Sequence, residues 1–345
     1  MIVVIIGLNK CTILHSVDKT IWTGLSIMKV KIWGSRGSIP ASINAGNIRE
    51  KIFEAIDKAK NVPLIDSNDI NRFIDEKLPF HVHSTYGTNT SCVELSDNEN
   101  EFLLLDAGSG LRDFGNTIMQ AGKMPCRFHI FLSHLHWDHI HGFPFFTPAF
   151  VKGNRIDFYA FHDQLESAFV TQQGAPFFPV PFEYMQADKH FHLLRTDESY
   201  DVCGFQVKGI EQNHAGKSYG YSFEKNNKKI VYSTDSEHVL DSDLHLQPYI
   251  DFFENADLLI FDAQYALMDV IQTKKTWGHS SNVVGLELAV RSKVKHYCMF
   301  HTEPTYDDSK LDKMLKETRA YKALYSPEAQ LKISIAYDGY SIYLD

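Results

Sequence analysis

The stretch Ile130-Phe131-Leu132-Ser133-His134-Leu135-His136-Trp137-Asp138-His139 decides how this chain is read. The apolar run from Phe128 to Leu132 reads as a buried strand of a layered α/β domain. It ends in three histidines and an aspartate within six residues. His134 and His136 lie two apart, so in extended or tightly turned chain both imidazoles point the same way. Asp138 and His139 are adjacent and diverge, which leaves them free to reach a second ion. Neutral imidazole and carboxylate are the usual ligands of Zn²⁺, with Mn²⁺ or Fe as alternatives. The competing reading is a surface loop rich in histidine. A bare HxH is common, whereas HxHxDH after a buried strand is not.

Working outward, 345 residues that are 44% apolar suffice for one large domain or two small ones. The net charge of -9 argues against a broad electrostatic footprint for nucleic acid. Cys11, Cys92, Cys126, Cys203 and Cys298 are odd in number and scattered, with no CxxC. They suggest a reducing, cytoplasmic setting and neither a disulfide framework nor a sulfur metal site. The apolar opening, Met1 to Gly7, is too short to span a bilayer and lacks a clear small-residue cleavage site. An orderly strand begins only at Met28. Residues 1–27 are therefore expected to form an N-terminal extension outside the fold, and 28–345 a single domain.

Strand Val30 to Trp33 runs into Gly34-Ser35-Arg36-Gly37-Ser38-Ile39-Pro40. This Gly-rich turn either brings backbone N–H groups near a phosphate or is an ordinary tight turn. Ile48, Ile52, Ile56 and Ala59 then recur at helical spacing, and Asp66 to Asp69 signals the start of a second helix. Residues 44–80 thus read as a small helical insertion after the first strand, serving as a lid, a dimer contact or padding. Glu101 to Leu105 is a strand closed by Asp106, and Lys225 to Lys228 marks a hairpin. The aromatics of 143–195 suggest irregular chain over the sheet with one strand, Ile156 to Phe161. Three further strands run directly into His214, Asp235 and His301. Ser280 and Ser281 cap a helix after His279, and a closing hairpin is expected across Asp338-Gly339.

HxHxDH resembles the signature of the metallo-β-lactamase superfamily. That resemblance implies an α/β fold of four layers, an αββα sandwich with two divalent metal ions at one edge, most simply Zn²⁺ and alternatively Mn²⁺. It implies that His134, His136 and His214 hold one ion and that Asp138, His139 and His301 hold the other. Asp235 bridges them, and Asp106 orients a ligand histidine. The Asp at position 235, where the β-lactamases proper carry a cysteine, together with Thr276-Trp277-Gly278-His279-Ser280-Ser281, is similar to the RNase Z branch. There the extra histidine, here His279, protonates a leaving alkoxide. The turn at 34–40, Gly87-Thr88-Asn89-Thr90-Ser91, Thr234 to His238 and Phe300 to Pro304 resemble the anti-Pycsar-type cyclic-nucleotide and phosphoribosyl cyclic phosphate phosphodiesterases within it. On this basis Asp138 and His279 are the expected catalytic residues, and Ser35, Arg36 and Asn89 the expected substrate contacts.

The resemblance thus implies a metal-dependent hydrolase that opens a small, cyclic nucleotide or sugar phosphodiester by metal-hydroxide attack. It further implies a homodimer, and no membrane partner is expected. The alternatives are an RNase Z-like tRNA 3′-processing endoribonuclease and a non-catalytic ligand-binding protein on the same scaffold. A thioester or lactam hydrolase is disfavoured by His279 and Asp235. A tRNA nuclease needs a basic gripping arm, because phosphate contacts dominate such affinity. Between His139 and His214, Lys152, Arg155, Lys189 and Arg195 are outnumbered by aspartate and glutamate. A nucleic acid polymer is therefore the less expected partner.

Overall fold

The computed structural model describes residues 28–96, 100–238, 243–269 and 278–344. The expected 1–27 extension lies outside them. The strands in chain order are β1 Met28–Gly34, β2 Cys92–Ser96, β3 Glu101–Leu105, β4 Arg127–Phe131, β5 Arg155–Ala160, β6 Asp188–Leu193 and β7 Tyr200–Val202. They continue as β8 Phe205–Gln212, β9 Ser218–Lys225, β10 Lys228–Ser233, β11 Leu258–Asp262, β12 His296–Phe300, β13 Lys332–Ile335 and β14 Ser341–Leu344. Two seven-stranded sheets result, ordered β14-β1-β2-β3-β4-β5-β6 and β13-β12-β11-β10-β9-β8-β7. Central strands pair in parallel, β3 with β4 and β4 with β5 in one sheet, β10 with β11 and β11 with β12 in the other.

These central strands are continuously apolar because both faces are covered. Alternation along each strand splits the side chains between two cores. Val30, Leu103, Leu105 and Phe131 of the first sheet meet Val207, Tyr221, Tyr232 and Phe300 of the second. On the outer face of the first sheet, Leu104, Phe128 and Ile130 pack beneath Leu111, Phe114, Phe143 and Phe146. On the outer face of the second, Leu259, Phe261 and Met299 pack beneath Phe253, Leu286, Leu311 and Met314. The architecture is the four-layer αββα sandwich.

Helices α1 Ala45–Ala59, α2 Ser67–Lys77 and the single turn α3 Phe80–His83 form the insertion between β1 and β2. Asn44 caps α1 through a reciprocal bond with Asn47, and Asp66 accepts from Asn68 and Asp69 at the start of α2. Ile48, Ile52 and Ile56, the helical stripe legible in the sequence, face solvent instead of a core. Two expectations need correction. Residues 143–195 hold more regular structure than one strand, since a helix (Leu165–Gln172) and β6 follow β5. Asp338-Gly339 does not close a hairpin. β13 lies parallel to β12 in one sheet and β14 antiparallel to β1 in the other, so the turn carries the chain between sheets.

The Gly-rich turn after β1 is a seam between the two sheets. The backbone of Arg36 bridges Thr90 on one side and Thr302 on the other. Its guanidinium is buried, donating from Nε to the Gly87 carbonyl at 2.9 Å and from Nη1 to the Glu303 and Tyr306 carbonyls at 3.2 and 2.9 Å. Asp308, which also pairs with Lys51 of α1 at 2.7 Å, lies 3.8 Å from Nη2. Ser35 Oγ donates to the Tyr86 carbonyl, and Asn89 Nδ2 donates to Asp113 at 2.8 Å. The hydrogen-bonding groups of all three are thus engaged inside the fold. That arrangement does not support the substrate-binding expectation for Ser35, Arg36 and Asn89.

Arg36→Met should accordingly lower unfolding stability by about 3–5 kcal/mol, because it strands buried carbonyls and unbalances Asp308. Urea denaturation reads this directly. A variant of unchanged stability with a raised KM would instead return Arg36 to the substrate.

Candidate metal centre

Each candidate ligand emerges where a strand ends, because a strand terminus is the one place where a packed sheet can turn side chains into an open edge. β4 delivers Ser133 and His134. The short helix Trp137–Ile140 then folds back, so that Asp138 and His139 turn inward while Trp137 stays exposed. β8 leads to His214, β10 to Asp235 and β12 to His301. Asp106, Asp235 and His301 hold positive φ angles of 60°, 53° and 56°. Such backbone costs of order 1 kcal/mol or more at a non-glycine residue, and it persists only where the surroundings over-determine it.

The side chains meet in two adjoining clusters, His134 with His136 and His214, and Asp138 with His139, Asp235 and His301. Asp235 spans them with one oxygen toward each. Its Oδ1 lies 3.7 and 3.8 Å from Nε2 of His134 and His214, and its Oδ2 lies 3.2 and 3.3 Å from Nε2 of His139 and His301. Asp138 Oδ2 stands 3.2 Å from both His139 and His301. It also accepts the Ser38 backbone N–H at 2.8 Å, the contribution of the Gly-rich turn to this edge.

Partners behind the rings set their tautomers. His139 Nδ1 donates to Asp106 at 2.7 Å, His214 Nδ1 to the Gly278 carbonyl at 2.8 Å, and His301 Nδ1 to Gln264 Oε1 at 3.1 Å. Each therefore turns the lone pair of Nε2 toward the cluster. His139 and His301 then oppose two such lone pairs 3.2 Å apart. They must share a cation, a proton or a metal ion. His134 Nε2 is buried with no hydrogen-bond partner, a cost of about 1–3 kcal/mol for an atom with nothing to bind.

The electrostatics point the same way. Burial, with His139 adding to it, pushes His134 well below its ordinary pKa, into the neutral form that ligates. Burial opposes ionisation of Asp138 and Asp235, yet the surrounding imidazoles hold both carboxyls far below the usual range. An orphaned ring nitrogen, paired lone pairs and two ionised buried carboxylates fit divalent cations.

His279 sits at the seam between the clusters, its ring stacked on His301 with centroids 5.1 Å apart. Its Nδ1 lies 2.8 Å from Asp262 and 4.0 Å from Asp235. Burial opposes its protonation, but Asp262, with Asp235 and Asp138 behind it, holds the ring up at about 9.

Asp106 receives Ser133 N and Oγ and the Tyr232 hydroxyl in addition to His139. Sequence reading assigned no role to Asp262 or Gln264. Asp262 had a usable signal, since it closes an apolar strand before Ala263 as Asp106 does before Ala107. Gln264 had none. Of the histidines near the loop, His141 contacts Thr90 Oγ1 at 3.1 Å and His238 contacts Ser236 Oγ at 2.6 Å. Neither belongs to the clusters.

Residues 102–302 match the family model described as the β-lactamase superfamily domain. A Ribonuclease Z of Brevibacillus brevis is 30% identical over 104 residues, and the match spans only 30% of either protein. The crystal structure of the metallo-β-lactamase fold protein YhfI from Bacillus subtilis superposes with a TM-score of 0.61 at 18% identity, covering 93% of this chain and all of that one. A diphosphatase of the PhnP family superposes at 0.57 with 17% identity, covering 92% and 97%. Among the described residues no helix is long and apolar enough to cross a membrane. The matched span takes in the histidine loop, Asp106, His214, Asp235, His279 and His301, and the chain belongs to the β-lactamase superfamily.

Proposed function

We propose that this chain is a dimetal phosphodiesterase acting on a small, cyclic nucleotide or sugar phosphodiester. His134, His136 and His214 hold one ion, Asp138, His139 and His301 the other, and Asp235 bridges with one oxygen to each. An all nitrogen and oxygen donor set suits Zn²⁺ and admits Mn²⁺. Bound there, such ions polarise a phosphoryl oxygen and lower the pKa of a water. The observation that carries the phosphoester reading is the position of His279, outside the proposed ligand set, hydrogen-bonded through Nδ1 to Asp262 and stacked on His301 beside the clusters.

An alkoxide leaves poorly unless it is protonated as the P–O bond breaks. His279 carries that proton, and Asp262 fixes its ring through Nδ1. No protein group among the described residues takes Nε2, which is therefore the nitrogen that donates to the departing oxygen. Asp106, Gln264 and the Gly278 carbonyl keep the ligand rings from rotating as charge moves through the site.

The RNase Z match favours a second reading, a tRNA 3′-processing endonuclease. Against it, acidic residues outnumber basic ones in the segment between the two cluster-forming loops, and three of its cations have partners within the fold. Arg155 pairs with Asp157 at 2.9 Å, Arg195 with Asp197 at 3.3 Å, and Lys189 donates to the Ala187 carbonyl at 3.0 Å. The family resemblance further supports a cytoplasmic homodimer.

Purified protein should contain about two divalent ions per chain by elemental analysis, and His136→Ala or Asp235→Ala should lower both occupancy and rate. Trace, non-stoichiometric metal in fully active protein would defeat the assignment. A cyclic mononucleotide should be cleaved faster than precursor tRNA at matched concentration. Cleavage of the tRNA alone, falling steeply with added salt, would reverse the ranking.

His279→Ala should leave metal content intact and lower kcat by roughly 10²–10⁴ on a cyclic nucleotide. On bis(p-nitrophenyl) phosphate, whose leaving group needs little protonation, the loss should be far smaller. Equal losses on both substrates would make His279 a positioning residue instead of the acid.

A further inference from the structure

Glu101, His129 and Cys203 form a cluster at the other end of the sandwich, where β3 and β4 begin. A carboxylate oxygen, an imidazole nitrogen and the sulfur lie within 4.8 Å of one another. Glu101 and His129 come from neighbouring strands of the first sheet. Cys203 comes from the turn between β7 and β8 of the second. Its backbone sits at φ 54°, followed by Gly204 at 74°, a left-handed pair that asparagine or glycine ordinarily fills. His129 is 2% exposed. Its Nε2 faces Glu101 at 2.9 Å and its Nδ1 faces the Tyr159 hydroxyl at 3.0 Å.

We infer that Glu101, His129 and Cys203 form a separate binding site for a divalent cation of the zinc class, which fastens the two sheets together. The donor set is the borderline mixture of sulfur, imidazole and carboxylate that Zn²⁺ takes, with a fourth position left for water. Tyr159 supplies the contact behind the ring that a ligand histidine uses to fix its orientation. Charge balances, since a thiolate and a carboxylate together neutralise the ion. Binding releases the thiol proton to solvent, and the ion takes the place of the proton between His129 and Glu101. The nearby cation Arg127 lies 3.7 Å from Glu101, but its Nε is committed to Asp157 at 2.9 Å. Without metal, burial and Glu101 push the thiol up to about 12, so Cys203 is inert as a nucleophile. The ion enters past Glu101, the most open of the two first-sheet ligands.

Cobalt distinguishes this site from the histidine clusters, which contain no sulfur. Titration of the full-length protein with Co²⁺ should produce a near-ultraviolet sulfur-to-cobalt charge-transfer band that saturates at about one sulfur-bound ion per chain. Cys203→Ser should abolish the band. Glu101→Gln keeps the shape, removes the charge, and should weaken the titration about tenfold or more. Absence of the band from the wild-type protein overturns the inference, and that arm needs no variant to fold. A band that survives Cys203→Ser, or a titration unmoved by Glu101→Gln, also overturns it and leaves an ordinary hydrogen-bonded network of glutamate, histidine and thiol.

Discussion

The buried carboxylate of Asp106 is the joint on which the histidine-rich edge depends. It follows β3, accepts from the backbone and hydroxyl of Ser133 after β4, and orients His139 in the metal loop. It also takes the Tyr232 hydroxyl at 2.6 Å from β10 of the opposite sheet. A buried anion demands several donors, and here they come from both halves of the sandwich. The relative position of the two sheets and the direction of His139 Nε2 are therefore fixed by one set of hydrogen bonds.

The same device recurs across the pseudo-symmetric site. Asp262 ends β11 as Asp106 follows β3, and it orients His279 where Asp106 orients His139. The consequences differ because the surroundings differ. His139 faces the Asp138 and Asp235 oxygens and is committed to the cluster. His279 presents Nδ1 to Asp262 and, in the proposed reaction, Nε2 to the leaving oxygen. Two histidines are each backed by a carboxylate, and they differ in that His139 Nε2 faces the oxygens of both Asp138 and Asp235.

The Gly-rich turn after β1 joins the two sheets. Its glycines and its arginine suggest phosphate handling, yet Arg36 satisfies backbone carbonyls at the seam between sheets. Its neighbours still reach the site, through the Ser38 N–H on Asp138 and through Gly37, where an added Cβ would lie 2.5 Å from His301 Nδ1. Glycine at position 37 is there for close approach. The insertion is linked to the same seam by Lys51, which pairs with Asp308.

The sequence by itself determined the layered α/β class, the strand endings and the histidine loop. These are local signals: an apolar run, a turn, and ligands spaced within one segment. It also marked His214, Asp235 and His301, because strand termini are legible from the change in composition that follows them, and His279 by the resemblance of its motif. Only the tertiary structure decided how those positions pair, which oxygen of Asp235 faces which cluster, and that Gln264 stands behind His301. It alone placed the strands flanking Asp338-Gly339 in different sheets and left the α1 stripe facing solvent. It alone brought Cys203 to Glu101 and His129, where spacing had suggested no sulfur site. The physical reason is the same throughout. Periodicity reports which face of an element is apolar, whereas contacts between residues far apart in the chain exist only after the two sheets have closed on a shared core.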